Sequence, residues 1–467
     1  MRLSSDAPRV YIGCHGDLAG FGGAVVAGRE LAAECVQSGL SVKLLGLGES
    51  DVAERGPGER IDLQNVAIKP EPVLWRVHAW RIPVLLAREL RLMPAPRDAF
   101  VSFSPLWTYA AKLAWLRTPT IHRYCGLPSN CAALSPERIE KRSFWARVTA
   151  SGTRWTERKA FLLAERILVS SQEHVEELAA FVPKALDRIH ICPDGLTLAS
   201  SPTTPRRNTR ERLGLRDDDF LILACGSFDW NKSFELAVRE LSACDERAQL
   251  VLIGDGPRRS ALVDAAHKAG VTDRTHVLGR VDSLADLYVA SDCVVSTSIY
   301  DAFPNVIKEA MHFGRPVLVP AHDPPRVYAG ISGIIAGEDA GLLYDRLESG
   351  ALARRVNQLI ADRALSRDLG RRASDAANRL FDWKSTIKEI HSVSGPRRTC
   401  PTPKADAAGE PSTSKIRTAR LVDNAPYGTH DRAKSAETSP SLDANADDNP
   451  DALATTAACD NAPERRR

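Results

Sequence analysis

Two carboxylates with seven residues between them lie in the segment SIYDAFPNVIKEAMHFGRPVL, residues 298–318. Pro304 predicts the first residue of a helix, since a missing N–H costs nothing there, and Gly314 predicts its end. Glu309 then lies on the helix and Asp301 just before it. A carboxylate such as Glu309 can accept two hydrogen bonds from a vicinal diol, as on a ribose. The alternative is that both acids are unrelated surface side chains.

A cation follows a buried strand in the segment CGSFDWNKSFELAV, residues 225–238. Gly226 ends the strand and lets a ligand approach the backbone closely. Because parallel strands bind ligands at their carboxyl edge, we expect Lys232 to point into the same cleft as the two carboxylates. An ordinary solvated lysine is the alternative.

A glycine-rich loop follows the first predicted strand in GCHGDLAGFGGAVVAGREL, residues 13–31. A dinucleotide fingerprint needs a third glycine where Val25 stands. The loop therefore does not complete that fingerprint. A tight turn without a ligand is the alternative.

The elements that must position these residues form two series of short apolar runs separated by helical patterns. The runs are VYIGC, SVKLLGL, AFVSF and RILVS, then FLILAC, QLVLIG, CVVSTS and PVLVP. Continuous apolar strands alternating with helices predict parallel sheets covered on both faces. A polar break separates the series, so the sequence predicts two doubly wound, Rossmann-like α/β domains facing a cleft, at residues 1–197 and 198–394.

Residues 395–467 differ in composition from the rest of the chain. They have almost no aromatic and few large aliphatic side chains. Such a segment cannot bury enough surface to offset its conformational entropy, so we expect a disordered tail. A role in recruiting a partner is the alternative.

Composition excludes several functional classes. The formal net charge is +3, from 62 basic and 59 acidic side chains, which argues against a dedicated nucleic-acid binder. No two of the ten cysteines are spaced as C-x-x-C, so we expect neither a zinc site nor a disulfide framework. We read no signal peptide and no membrane-spanning run, and a cytoplasmic location fits.

The segment from Asp301 to Val317 resembles the acid-seven-acid motif of family-4 retaining glycosyltransferases, which have the GT-B fold. That motif begins Glu-Gly-Phe-(Gly/Pro) and ends Glu-Ala-Met-Ala-x-Gly-x-Pro-Val; this chain has DAFP and EAMHFGRPV. The resemblance implies that Glu309 holds the ribose of a sugar nucleotide and that Asp301 faces the donor sugar. It implies that the backbone around Phe303, Pro304, Asn305 and Val306 binds sugar hydroxyls and phosphate.

The resemblance covers roughly residues 8–390 and extends to the other segments. It implies that Lys232 neutralises the donor diphosphate, with weaker support for Ser227 beside Gly226. It implies that Gly22 and Gly23 approach the donor from the first domain. The backbone near Gly279 and Val281 would contact the nucleotide base.

Four positions depart from the family pattern. Asp301 replaces the usual glutamate and is one methylene shorter, and Ala302 replaces the usual glycine. Ser227 stands where an arginine is frequent. Cys125 stands where a histidine often faces the donor sugar, and His122 is a poor substitute because of its offset.

These resemblances imply a retaining transfer of sugar from a nucleoside-diphosphate-sugar donor to a glycan or glycolipid acceptor, in polysaccharide or cell-envelope synthesis. The family usually works without a metal, and we expect no cofactor beyond the donor. One alternative is a GT-B-shaped protein that binds a nucleotide or sugar without turnover, which Asp301, Cys125 and Ser227 favour. A second alternative is a sugar-nucleotide epimerase, but the acid-seven-acid motif argues against it.

Residues 74–93 and 138–159 mix tryptophans with basic side chains. Basic aromatic faces can lie on an anionic membrane, so these segments suggest peripheral contact with the inner face of the membrane. The alternative is solvated helix faces whose aromatic rings pack inward.

Overall fold

The computed structural model describes residues 9–19, 22–48, 61–67, 81–135, 144–198, 201–281 and 284–394, except for the side chains of 144–149. The predicted tail, residues 395–467, lies outside the described residues. So do residues 74–80 and 138–143 of the two basic aromatic segments.

Among the described residues, seven parallel strands form the first sheet, in the order β3-β2-β1-β4-β5-β6-β7. β1 is the centre of its amino-terminal half, with Val10 paired to Val42 of β2 on one side and to Ala99 of β4 on the other. The strands are β1 Val10–Gly13, β2 Val42–Leu47, β3 Ile61–Val66, β4 Ala99–Ser102, β5 Thr120–Arg123, β6 Arg166–Val169 and β7 Ile189–Ile191.

Helices connect these strands and cover the sheet. They are α1 Gly23–Gln37, α2 Ile82–Arg91, α3 Pro105–Ala114, α4 Pro128–Ala133, α5 Phe144–Leu163 and α6 Gln172–Phe181, with a 3-10 helix at Pro183–Arg188. Ser104 begins α3 by accepting a hydrogen bond from the Leu106 N–H, and Pro105 occupies the first helical position.

Six further parallel strands within the described part form the second sheet, in the order β10-β9-β8-β11-β13-β15. A small sheet of two parallel strands, β12 and β14, lies outside it. The strands are β8 Phe220–Cys225, β9 Ala248–Ile253, β10 Thr275–Leu278, β11 Cys293–Val295, β12 Tyr300–Asp301, β13 Val317–Pro320, β14 Tyr328–Ala329 and β15 Gly341–Tyr344.

The helices of this half are mostly short. They are α7 Arg206–Arg212, α8 Glu235–Glu240, α9 Arg259–Lys268, α10 Ala285–Ala290, α11 Asn305–His312, α12 Ser332–Gly337, α13 Ala351–Ala361, α14 Arg363–Leu380 and α15 Lys384–Ser394, with 3-10 helices at Leu241–Ala243 and Thr272–Arg274. α11 begins at Asn305, so Pro304 is the residue before the helix and the prediction was one residue early.

Separate apolar cores cover the two faces of each sheet. β8 shows the reason: all six of its side chains are buried, with Phe220 and Ile222 in one core and Leu221 and Leu223 in the other. Because alternate side chains point to opposite faces, only a continuous apolar run can fill both. The prediction of two doubly wound α/β domains is confirmed.

The last helix departs from the predicted assignment of residues 198–394 to the second domain. Trp383, Ile387 and Ile390 pack in the core of the first domain, beside Val10 and Ile12. The chain therefore leaves the first domain near Leu196 and returns to it at Trp383.

Candidate functional site

Lys232 and Asp301 form an ion pair beyond the carboxyl ends of the second sheet. The Lys232 Nζ lies 2.5 Å from Asp301 Oδ2, and the Ser298 hydroxyl donates to the same oxygen at 3.2 Å. Burial lowers the pKa of Lys232, but the Asp301 and Asp229 carboxylates more than offset it, so the pKa is raised. The ammonium group therefore stays charged at neutral pH.

The loop that presents Lys232 is fixed by a second carboxylate, Asp229. Its Oδ1 accepts the backbone N–H groups of Asn231 and Lys232, both at 2.9 Å. Its Oδ2 accepts the Ser227 hydroxyl at 2.5 Å. The exposed Ser227 therefore shapes the loop. Asp229 is a residue that sequence reasoning missed, although Asp side chains commonly accept the backbone N–H two residues on, as Asp229 does here from Asn231.

Asn231 connects this loop to the strand that carries Asp301. Its amide side chain donates to Tyr300 O and accepts from Tyr300 N, both at 2.8 Å. The Thr297 hydroxyl donates to Lys232 O at 2.7 Å. Two segments almost 70 residues apart thus form one unit, which brings Lys232 to Asp301.

Glycines let the strand ends of the second sheet approach each other. Gly226 has φ 151° and Gly254 has φ 140°, conformations that residues with a side chain rarely adopt. A Cβ on Gly254 would collide with Gly226 O. Gly254 N donates to Gly279 O at 3.3 Å, which places the predicted base-contact segment Gly279 to Val281 at the same edge of the sheet.

Glu309 lies on α11 and is half-buried. Its Oε2 accepts the Tyr288 hydroxyl at 2.8 Å, and the Tyr288 ring stacks on Phe313 with centroids 5.5 Å apart. Burial raises the pKa of Glu309, while the Tyr288 hydrogen bond and the Lys308 charge act in the opposite direction. Tyr288 is a further residue that sequence reasoning missed, because it lies on another helix.

The start of α11 has free backbone donors. The first hydrogen bond of this helix runs from Ile307 N to Pro304 O, 3.1 Å, so the N–H groups of Asn305 and Val306 precede the helical hydrogen bonds. Pro304 itself can donate nothing. Phe303 packs instead between Phe381, 5.6 Å away, and the ammonium of Lys308, 5.4 Å from its ring.

Gly22 and Gly23 lie at the start of α1 and are exposed. Gly22 has φ −64°, and a Cβ on either residue would meet nothing within 4 Å. The fold itself therefore does not require glycine at either position. Close approach of a ligand to the backbone would explain why glycine stands at these two positions.

The first-domain cysteine and histidine have different surroundings. Cys125 is exposed two residues after β5. His122 is buried inside β5, where its Nδ1 lies 2.7 Å from the Thr108 hydroxyl and its ring contacts Phe161. His122 therefore points into the core and away from the exposed end of the strand.

The structure thus brings Lys232, Asp301 and Gly226 together and places the Glu309 helix and Gly279 along the same sheet edge. Gly22 and Gly23 belong to the other sheet. Within the described ranges, no cluster of His, Cys, Asp or Glu could hold a metal ion. In the same residues, no helix is both long enough and apolar enough to cross a bilayer.

Comparison with known proteins identifies the second half of the chain. Residues 205–376 match the family described as "Glycosyl transferases group 1". This chain carries a group 1 glycosyl transferase domain. All the predicted second-domain site residues lie inside that range.

The curated relatives of this glycosyl transferase domain include a D-inositol 3-phosphate glycosyltransferase of Xylanimonas cellulosilytica, 32% identical over 244 residues. That alignment covers 49% of this chain and 56% of the relative. The chain spans about half the length of the first curated relatives it matches.

Solved structures show that the group 1 glycosyl transferase domain is half of a GT-B fold. Sucrose-phosphate synthase of Thermosynechococcus elongatus superposes with a TM-score of 0.68 at 22% identity, covering 83% of this chain and 98% of that one. HepE of Anabaena, solved in complex with UDP and glucose, gives 0.62 at 17% identity, with 82% and 98% covered. The predicted fold is confirmed.

Proposed function

We propose that this protein is a retaining glycosyltransferase that moves a sugar from a nucleoside-diphosphate-sugar donor to a hydroxyl of a glycan or glycolipid. The observation that carries the proposal is the Lys232–Asp301 pair, 2.5 Å apart, inside a group 1 glycosyl transferase domain. At one sheet edge, the cation can bind the diphosphate of the donor, and the carboxylate can accept hydrogen bonds from its sugar hydroxyls.

The donor diphosphate would bind beside Lys232 and the free N–H groups that start α11. As the bond from the anomeric carbon to the phosphate oxygen breaks, Lys232 stabilises the negative charge that develops there. The acceptor oxygen forms the new bond on the same face, and its proton passes to the departing phosphate. No protein base and no cofactor are needed for this step.

Glu309 would hold the ribose of the donor. Its Oε2 already accepts the Tyr288 hydroxyl, which leaves Oε1 for the ribose hydroxyls. Asp301 would accept hydroxyls of the donor sugar once the diphosphate competes for Lys232. HepE of Anabaena, whose fold is similar, was solved with UDP and glucose, which supports this class of donor.

A panel of UDP- and GDP-sugars, each with a cell-envelope extract as acceptor source, tests the proposal. We expect release of nucleoside diphosphate from at least one donor, and a product whose anomeric proton coupling matches that of the donor. EDTA should leave the rate unchanged. Binding without turnover for every donor would support the alternative of an inert binding protein.

We also propose that the first domain docks on the cytoplasmic face of an anionic membrane. On α2 and just after it, Val84, Leu85 and Leu92 are 51%, 43% and 80% exposed, and Arg88 and Arg91 occupy the last turn. Trp155 is 45% exposed. Exposed apolar groups beside arginines suit the boundary between headgroups and acyl chains.

Vesicle sedimentation tests the docking. The protein should pellet with vesicles of phosphatidylglycerol and phosphatidylcholine at low salt, less so as salt rises, and not with phosphatidylcholine alone. Absence of binding at low salt would contradict it.

A further inference from the structure

The residue before Asp301 reaches across to the first domain. The Tyr300 hydroxyl accepts the backbone N–H of Leu127 and donates to Glu177 Oε1 at 3.1 Å. Tyr300 is only 6% exposed. Because β12 consists of Tyr300 and Asp301 alone, these contacts act directly beside the Asp301 carboxylate.

Glu177, on α6, is the centre of a polar network in the first domain. It also accepts the Tyr124 hydroxyl at 2.5 Å and the Asn130 side-chain N–H at 2.8 Å. Two donors from separate segments therefore fix this carboxylate in addition to Tyr300. Such a network has little freedom to move when its members are buried.

Gly126 provides the space in which Tyr300 lies. It has φ 95°, and a Cβ there would stand 2.6 Å from the Tyr300 hydroxyl. A residue with a side chain would be strained at that φ and would also displace the tyrosine. The backbone of the first domain thus fits this one ring closely.

The residue after Asp301 is held by the first domain as well. Ala302 O accepts a hydrogen bond from His174 Nε2 at 3.1 Å, and His174 is 2% exposed. A carbonyl oxygen can only accept, so Nε2 carries the proton. A Cβ on Gly330 would collide with both partners, so this contact too depends on a glycine.

Asp301 is therefore fixed from both sides. The second domain holds it through Lys232 and through Asn231, which bonds the Tyr300 backbone. The first domain holds its two neighbours. Because the Asp301 side chain has only one methylene, the position of its carboxylate depends mainly on the position of its backbone.

We propose that Tyr300, Glu177 and His174 are positioning residues that hold the Asp301 carboxylate at the donor sugar when the two domains are in contact. This inference rests on the proposed function, since it assigns residues to the same reaction. It means that the position of the Asp301 carboxylate depends on first-domain side chains that do not themselves contact the donor.

Tyr300→Phe is the most direct test, because phenylalanine keeps the ring between Gly126 and Tyr328 and loses only the hydroxyl. We expect turnover to fall at least about tenfold, since a displacement of about 1 Å can cost ~100-fold in rate. The Kd for UDP or GDP, measured by calorimetry, should change less than about twofold, since the substitution leaves the proposed ribose contact of Glu309 unaltered.

Tyr328→Phe is the matched control. Its ring lies 4.9 Å from Tyr300, but its hydroxyl bonds neither Leu127 nor Glu177, so turnover should stay near the wild-type value. Glu177→Gln keeps an accepting oxygen and should retain more turnover than Glu177→Ala. Wild-type turnover in Tyr300→Phe, or an equal loss of turnover and UDP or GDP binding, would overturn the proposal.

Amide hydrogen exchange separates this proposal from the proposed function. If no sugar nucleotide is turned over by the wild type, the proposed function fails and exchange still tests the contacts. Tyr300→Phe should then speed exchange around Leu127 and Ala302 relative to Tyr328→Phe. Equal exchange in the two variants would overturn the positioning role.

Discussion

At the residue scale, the candidate donor site neutralises its own charges. Lys232 is paired with Asp301, and Glu309 accepts a hydrogen bond from Tyr288. Partly buried charges are stable only when paired in this way. A diphosphate must therefore compete with Asp301 for Lys232, and the freed carboxylate can then bind sugar hydroxyls.

Glu309→Gln tests the ribose contact. Glutamine keeps an oxygen for Tyr288 but loses the charge, and a hydrogen bond to a charged group contributes about 1.5–3 kcal/mol. We expect the Kd of UDP or GDP to rise roughly 10- to 100-fold in calorimetry. Glu338→Gln, at a surface pair with Arg379, is the control. Unchanged affinity would remove Glu309 from the site.

The pH dependence of that affinity has a defined sign. The ionised carboxylate is the form that accepts from ribose, and burial raises the pKa of Glu309. Wild-type affinity should therefore fall on acidification at a higher pH than for an exposed glutamate. The Glu309→Gln variant should lack this component, and an identical pH profile in both would contradict the assignment.

The charged residues of the site could be predicted from sequence, but their partners could not. Asp301, Glu309 and Lys232 stand at recognisable spacings in strand-loop-helix segments. Tyr288 is 21 residues from Glu309, and Glu177 is 123 residues from Tyr300. Nothing local marks such pairs, because they form only when separate elements pack together.

At the element scale, glycines do different work in the two domains. In the second, Gly226 and Gly254 allow strand ends to touch, and both have positive φ. In the first, Gly22 has an ordinary φ and open space around it. The folded structure requires glycine at residues 226 and 254. It does not require glycine at residue 22.

Gly22→Ala and Gly254→Ala should therefore behave oppositely. Gly22→Ala should leave thermal stability unchanged or slightly higher but lower turnover at least about tenfold, if the backbone approaches the donor. Gly254→Ala should lower the free energy of unfolding by roughly 1–3 kcal/mol or more, because its Cβ overlaps Gly226 O. Full turnover in Gly22→Ala would reduce this loop to a simple turn.

The central strands were predictable because burial on both faces demands a continuous apolar run. The edge strands were not: in β3 only Val66 is buried, and in β10 every residue is half-buried. Because an edge strand is partly exposed, it can contain polar residues, so the segment IDLQNV is only weakly recognisable as a strand from its sequence. Packing of its neighbours decides that this segment is a strand.

At the scale of the whole molecule, polar contacts in the first domain hold both segments by which the chain passes between the domains. Arg123, at the end of β5, pairs with Asp194 and donates to the Thr386 hydroxyl at 2.9 Å. Glu30, on α1, accepts the Thr197 N–H at 3.0 Å and the Trp383 Nε1–H at 3.2 Å. Arg123 and Glu30 therefore hold the two segments by which the chain leaves the first domain and returns to it.

Glu30→Gln tests this junction through its pH dependence. Burial raises the pKa of Glu30 from 4.5 to about 7, against the opposing effects of Lys308 and of its two hydrogen bonds. The folded state then binds the proton more tightly than the unfolded state. Ionisation therefore costs stability, a cost absent below pH 4.5 and complete above pH 7.

Glutamine keeps the accepting oxygen and cannot ionise, so Glu30→Gln should be more stable than wild type at pH 8. The gain should be about 1–3 kcal/mol in urea unfolding and should vanish near pH 4.5. Glu34→Gln, one turn along α1, is the control. A variant that is less stable than wild type at pH 8 would mean that the charge itself stabilises the junction.

The central claim, that Lys232 stabilises the departing diphosphate, is tested most directly by the turnover of Lys232→Gln. The rate of nucleoside-diphosphate release from the best donor should fall by about 100-fold or more relative to wild type. Lys268→Gln, on the exposed side of α9, should keep the wild-type rate. Turnover of Lys232→Gln within about threefold of wild type would contradict the account.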